Sequence, residues 1–172
     1  MSNSKLPLEI ERKFLIRMPD VSVLEAQPLY MKIEIEQAYL RNQERTAGMR
    51  IRKNVINGKT TYKKTYKKSI TYRTRIEIED DISEQSWKDL LFEIDPDSIP
   101  IKKVRHCFMY KGQFFELDIY DFWTDRATLE IELSSEEEQV ELPSFIEVVK
   151  EVTDDERYSN RSLSYGVVNE EI

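Results

Sequence analysis

Two pairs of glutamates, Glu9/Glu11 and Glu130/Glu132, are spaced i, i+2, which places neighbouring carboxylates on one face of a β-strand. Such a pair offers oxygen ligands to one hard cation, and Mg²⁺ or Mn²⁺ accepts them. Basic residues recur at the same spacing, as Arg50/Arg52, Arg73/Arg75 and Lys103/Arg105. Together Arg50, Arg52, Lys63, Arg73, Lys103 and Arg105 would neutralise a ligand carrying several negative charges, because guanidinium presents a planar fork to phosphate and ammonium a compact point charge. Carboxylate-held cations beside cationic clamps suit phosphoryl transfer, in which positioning and electrostatics supply most of the catalysis.

Other chemistries find little support. The sequence has no P-loop, no Gly-rich dinucleotide fingerprint and no G-x-S-x-G elbow. His106 is the sole histidine and Cys107 the sole cysteine, so neither a multi-histidine nor a cysteine-cluster metal site can be built, nor an intramolecular disulfide. Both residues read as structural. A net charge of −7 argues against general nucleic-acid binding. The chain is nevertheless strongly basic between Arg41 and Arg75 and acidic after Asp80 and after Glu130, and for a small anion the local field governs. The expected partner is therefore a small anionic molecule rather than nucleic acid or membrane. No segment approaches the roughly 20 apolar residues of a membrane span, and Met1–Pro7 lacks the apolar run of a signal peptide. With a single cysteine, this predicts a cytoplasmic protein.

Positioning these residues falls to strands. Period-two alternation predicts them over Leu8 to Ile16, Met31 to Arg41, Met49 to Ile56, Lys59 to Tyr66, Tyr72 to Asp80, Ile101 to Tyr110, Gln113 to Asp121 and Ala127 to Leu133. Asn57-Gly58 and Lys111-Gly112 read as hairpin turns, making their flanking strands antiparallel. Short helices are expected after the caps Asp20 and Ser83, from Ser135 into Glu136–Glu138, and over Asp154 to Leu163. The 172 residues fit one domain, residues 1–172. The expected fold class is mainly β (α+β): a closed eight-stranded antiparallel barrel with short helices packed outside.

One face of each strand is charged and the other apolar: Glu9, Glu11 and Lys13 alternate with Leu8 and Ile10, and Glu130 and Glu132 with Leu129, Ile131 and Leu133. A solvated outer face would account for this on any single strand. It does not account for the clustering of like charges, which repel unless a counter-charge is supplied. Basic strands facing acidic ones across a barrel interior would supply it, and so would bound cations and polyanions. The two are compatible, and either makes the barrel charged inside and apolar outside.

The run Glu9-Ile10-Glu11-Arg12-Lys13 resembles the E-x-E-x-K signature of the CYTH superfamily, the triphosphate tunnel metalloenzymes. The resemblance continues through Gln37-Ala38-Tyr39-Leu40, Met49-Arg50-Ile51-Arg52, Lys103-Val104-Arg105, Phe115-Glu116-Leu117-Asp118, Leu129-Glu130-Ile131-Glu132 and Glu151 to Tyr158. It implies a tunnel that binds the triphosphate moiety of its substrate and hydrolyses or rearranges it with Mg²⁺ or Mn²⁺. By the resemblance, Glu9 and Glu11 bind metal, and Lys13 contacts phosphate or orients the attacking water. Arg50, Arg52, Lys103 and Arg105 bind phosphate, and Lys63 matches a further lysine. Glu130 and Glu132 form the second carboxylate pair, with Asp118 and Glu77 as further acidic positions. Lys64, Lys67 and Lys68 read as surface charges.

The expected reaction is two-metal hydrolysis of inorganic triphosphate to pyrophosphate and phosphate, with Lys13, Glu130 and Glu132 catalytic. Thiamine triphosphatase, class IV adenylate cyclase and a non-catalytic polyphosphate- or nucleotide-binding barrel are the alternatives. The chain departs from the family pattern at Arg75, where related sequences often carry an acidic residue before Glu77. Pointing inward, Arg75 would either contact phosphate or pair with a carboxylate opposite.

Overall fold

A computed structural model describes residues 8–41 and 47–172. The expectation drawn from Met1–Pro7 lies outside them. The described residues form nine strands: β1 (Leu8–Arg17), β2 (Met31–Tyr39), β3 (Ala47–Ile56), β4 (Lys59–Ser69), β5 (Thr74–Ile82), β6 (Ile101–Tyr110), β7 (Gln113–Tyr120), β8 (Arg126–Glu132) and β9 (Val148–Glu151). They run β5-β4-β3-β2-β6-β7-β8-β1-β9, and β5 also pairs with β1. Eight antiparallel strands therefore close into a barrel, which leaves its ring without an open edge.

The seam lies on β1, one edge of which is shared. Leu8 to Ile10 pair with β5, whereas Phe14 to Ile16 pair with β9. Between them the edge is held by Glu11 N donating to Arg73 O and by Val152 N donating to Lys13 O. The other edge of β1 pairs with β8 from Glu11 to Arg17. β9 is the strand that alternation did not reveal, since it offers only four residues to that pattern.

Two tight turns set the hairpin registers. Asn57 and Gly58 have φ of 49° and 77°, and Lys111 and Gly112 have φ of 47° and 75°, the paired positive angles that match the twist of the strands they join. Asp20 caps α1 (Val21–Glu25) and Ser83 caps α2 (Glu84–Leu90). Ser135 to Glu138 does not become a helix. Glu138 turns back to accept from the Ser134 amide and hydroxyl, and Glu136 accepts from Thr71 and Thr74, so the acidic side chains tie loops together. The predicted C-terminal helix is split: Asp155 caps a 3₁₀ turn at Glu156–Tyr158, and Ser159 caps a separate α3 (Asn160–Tyr165).

The hydrophobic core coats the barrel. Phe14, Phe108, Phe115, Leu117, Leu129 and Ile131 form one cluster with Leu24 of α1 and Ile146 of the segment after β8. Met49, Ile51, Trp87 and Leu90 join α2 to the outer face of β3. At roughly 1.5–3 kcal/mol for each large apolar side chain buried, this coat is what allows the interior to remain charged. A third cluster, with Leu15, Ile101, Tyr120, Trp123, Tyr158 and Leu163, stoppers one end of the barrel.

Candidate active site

Alternation sends every second strand residue inward, and the inward residues line a cavity of about 620 Å³. β1 contributes Glu9, Glu11 and Lys13, β3 contributes Arg50 and Arg52, and β5 contributes Arg75, Glu77 and Glu79. Arg105 of β6, Glu116 of β7, and Glu130 and Glu132 of β8 complete the charged wall. Leu8 and Tyr72 also line it, at 47% and 70% exposed.

The deep part is a network of buried ion pairs. Lys13 Nζ lies 2.9 Å from Glu130 Oε1. Arg105 clamps Asp118, Nε to Oδ1 at 2.7 Å and Nη2 to Oδ2 at 2.8 Å, and also pairs with Glu116 and Glu130. Lys103 Nζ meets Asp118 Oδ2 at 2.5 Å and Asn160 Oδ1 at 3.2 Å. Burial raises carboxyl pKa values, but Arg105 and Lys103 overcome it at Asp118 and hold that carboxylate far below its ordinary range. Against the same penalty, Lys13 and Arg105 hold Glu130 down to about 2. Burial works against the Lys13 charge too, yet Glu130 raises Lys13 above the usual lysine value.

Elsewhere on the wall the outcome is mixed: against burial, Lys67 holds Glu77 and Lys63 holds Glu79 below the ordinary carboxylate value, while four other carboxylates move up. Burial raises Glu9, Glu11 and Glu116, partial desolvation raises the more exposed Glu132, and neighbouring carboxylates add to it in each case. Lys67 lies between Glu9 and Glu77, at 3.0 Å and 3.1 Å from the two carboxylates. Arg75 Nη1 lies 3.1 Å from Glu11 Oε1, which resolves the departure at this position as a pairing with the opposite carboxylate.

Nine of the sequence-predicted site residues, Glu9, Glu11, Lys13, Arg50, Arg52, Glu77, Arg105, Glu130 and Glu132, share this cavity wall. Four do not line it. Lys63 pairs with Glu79 and Asp81 at 3.0 Å and 3.5 Å. Arg73 belongs to the turn before β5 and donates to the Glu136 carbonyl. Asp118 and Lys103 are buried behind Arg105, where the Lys103 amine and the Arg105 guanidinium occupy both Asp118 oxygens; burial, with Arg105 and Arg52 nearby, pushes the Lys103 pKa down to about 7 although Asp118 opposes it. A correction applies to Lys67: it is no surface charge but a cavity residue, four positions from Lys63 and so on the same face of β4. That parity was the signal that marks it. Glu79, Glu116, Asn160 and Arg161 also stand at or near the wall; Arg161, from α3, donates to the Ala47 carbonyl at 2.8 Å.

The donor chemistry fits a hard divalent cation, because the crowded groups are carboxylates whose mutual repulsion a cation would relieve. Among the described residues no three carboxylates converge as a ready-made metal cage. Mg²⁺ does not require one, since one or two carboxylates, water and substrate phosphates commonly complete its shell.

Solved structures share this fold. The inorganic triphosphatase NE1496 superposes with a TM-score of 0.60 at 26% identity, over 94% of this chain and 97% of that one. PH1819 from Pyrococcus horikoshii OT3 superposes at 0.58 with 22% identity, over 74% of this chain and 80% of that one. HpAC1 from Hippeastrum, described as having a dominant triphosphatase activity, shares the fold at 0.50 with 13% identity, covering 73% and 80%. No curated protein matches the chain by sequence. The CYTH domain family matches residues 7–159, a span that holds all eight barrel strands and both glutamate pairs, and the chain belongs to that family.

Proposed function

We propose that the protein is a divalent-metal-dependent hydrolase of triphosphates, acting on inorganic triphosphate to give pyrophosphate and phosphate. The observation that carries this reading is that one cavity holds both the cations that suit phosphate, Lys13, Arg50, Arg52 and Arg105, and the carboxylates that suit a divalent metal, Glu9, Glu11, Glu116 and Glu132. A pure anion sink gains nothing from acidic groups beside phosphate, and those groups suit a polyanion only when cations lie between. The similarity to the inorganic triphosphatase NE1496 supports the substrate class.

In this reading Arg50, Arg52 and Arg105 bind the phosphate chain, and Lys13, anchored by Glu130, adds a positioned charge at the reacting end. Glu130 stays ionised at neutral pH because Lys13 and Arg105 hold it so, and with Glu132 it orients the attacking water. Glu9, Glu11, Glu116 and Glu132 would hold Mg²⁺ or Mn²⁺, which when bound neutralises phosphate charge and acidifies water. Asp118 and Lys103 act from behind, fixing Arg105, and Lys63 and Arg73 lie outside the binding set.

A second reading, a substrate whose triphosphate carries an organic group, is favoured by Tyr72 and Leu8, which offer apolar surface where the cavity meets solvent. Thiamine triphosphate and ATP represent it. The test is phosphate release from triphosphate, thiamine triphosphate, ATP and pyrophosphate with Mg²⁺, Mn²⁺ or chelator, together with an assay for cyclic AMP. Rapid chelator-sensitive release from inorganic triphosphate is expected. Turnover confined to the organic substrates would replace the first reading by the second. No turnover of any substrate, with triphosphate still raising the melting temperature, would leave a binding barrel.

A further inference from the structure

Gln37 of β2 stands opposite Arg52 of β3 and is 1% exposed. Its Oε1 accepts from Arg52 Nε at 3.2 Å and Arg52 Nη2 at 3.0 Å, and its Nε2 donates to the Tyr39 hydroxyl at 3.2 Å. The fork of Arg52 is thus gripped through two donors, as a carboxylate would grip it, but by a neutral amide.

The neighbouring cations are held differently. Lys13 faces Glu130, Lys67 faces Glu9, Arg75 faces Glu11 and Arg105 faces Asp118, each within ion-pair distance. Arg52 makes its side-chain hydrogen bonds to Gln37 alone among the described residues. Burial and the nearby Arg50 and Arg105 push its pKa down to about 10, so it remains charged at neutral pH inside a basic wall. A carboxylate at position 37 would pair with Arg52 and compete with phosphate for it. An apolar side chain there would leave the guanidinium donors without a fixed acceptor, at a loss of orientation.

We propose that Gln37 is a positioning residue that fixes the Arg52 fork without neutralising it, keeping the charge of Arg52 for the triphosphate anion. The inference rests on the reading of the cavity as a triphosphate site.

Gln37→Glu is the discriminating variant. It keeps the shape and the two-point grip, and the Tyr39 hydroxyl can rotate to donate to the new oxygen, so the fold is expected to survive. The dissociation constant of inorganic triphosphate in metal-free buffer should rise at least about tenfold, the loss of roughly one charge-assisted phosphate contact. With Mg²⁺, KM should rise by a similar factor and kcat by comparison change little. Gln37→Met removes the acceptor without adding charge; its weaker defect should vanish in an Arg52→Met background, because Gln37 acts through Arg52. Wild-type affinity in Gln37→Glu, or a Gln37→Met defect undiminished when Arg52 is absent, would overturn the assignment even in an active hydrolase. Wild-type protein that binds triphosphate without hydrolysing it removes the hydrolase reading and leaves the Gln37 test intact, whereas wild-type protein that fails to bind triphosphate overturns both.

Discussion

Arg75 reaches across the seam of the barrel to Glu11, Nη1 to Oε1 at 3.1 Å, where β5 closes onto β1. The sequence resemblance implies a metal-binding role for Glu11, and here that carboxylate has an internal cation as partner. An incoming divalent ion would have to displace Arg75 from Glu11 or share the carboxylate with it. Burial and the carboxylate of Glu130 raise the pKa of Glu11, and the Arg75 charge opposes them.

Replacing Arg75 by methionine should therefore reduce the Mg²⁺ concentration needed for half-maximal phosphate release, by about fivefold if the competing pair is worth about 1 kcal/mol. A Mg²⁺ titration of initial rates checks it. An unchanged or increased requirement would remove Glu11 from the metal-binding set.

Glu130 and Glu132 belong to one motif but stand in different surroundings, and they should fail differently. Glu130 is buried between Lys13 and Arg105, so Glu130→Gln should abolish turnover and also lower stability, by about 3–5 kcal/mol for a buried charge left without its partner. Glu132 is exposed at the end of β8. Glu132→Gln should lose at least about a hundredfold in kcat, the scale of a removed general base or ligand, while its urea midpoint stays near wild type. Rates and denaturation curves on the two variants separate the roles; full activity in Glu132→Gln would exclude it from catalysis.

Asp118 provides the converse test. Lys103 and Arg105 take both its oxygens, and it is fully buried. Asp118→Asn should lower stability by about 3–5 kcal/mol and raise KM as Arg105 loosens, yet leave the Mg²⁺ half-saturation of the remaining activity unchanged. A shift in Mg²⁺ requirement comparable to that of a Glu9→Gln variant would return Asp118 to the ligand set.

The barrel was legible because each strand carries its own instruction: alternation assigns Glu9, Glu11 and Lys13 to one face and Ile10 to the other, and Asn57-Gly58 fixes a register in two residues. Alternation identifies a face, but it does not say where a strand ends. Arg73 has the parity of Arg75, yet β5 begins at Thr74 after a turn in which Ile70 and Thr71 donate to the Thr74 carbonyl. Nor does it say which cation lies deep enough to face substrate. Lys63 and Lys67 share a face of β4, and only the register against β5 brings Lys67 to Glu77 and Lys63 to Asp81. Those pairings cross more sequence than any local pattern covers, so depth in the cavity became readable only with the strands assembled.

His106 gives the fold a titration that stands apart from the cavity chemistry. It lies on the outward face of β6, 3% exposed, with Nδ1 2.9 Å from the Tyr30 hydroxyl, and it stacks on the Tyr30 ring. Burial, with Lys32 nearby, lowers its pKa below the ordinary histidine value, and Glu25 only partly opposes this. The folded state therefore binds a proton less readily than the unfolded chain, whose histidine titrates near 6.5. Stability attributable to this group is complete above about pH 6.5 and is lost as the pH falls from there through the folded pKa, with a slope of at most about 1.4 kcal/mol per pH unit. Urea unfolding of wild type and His106→Asn between pH 8 and pH 5 measures it, and the wild-type stability should fall more steeply in the acid half of that range. Parallel curves would mean that His106 accepts its proton as readily in the barrel as in the unfolded chain, and that the part-buried Tyr30 contact does not hold the ring neutral.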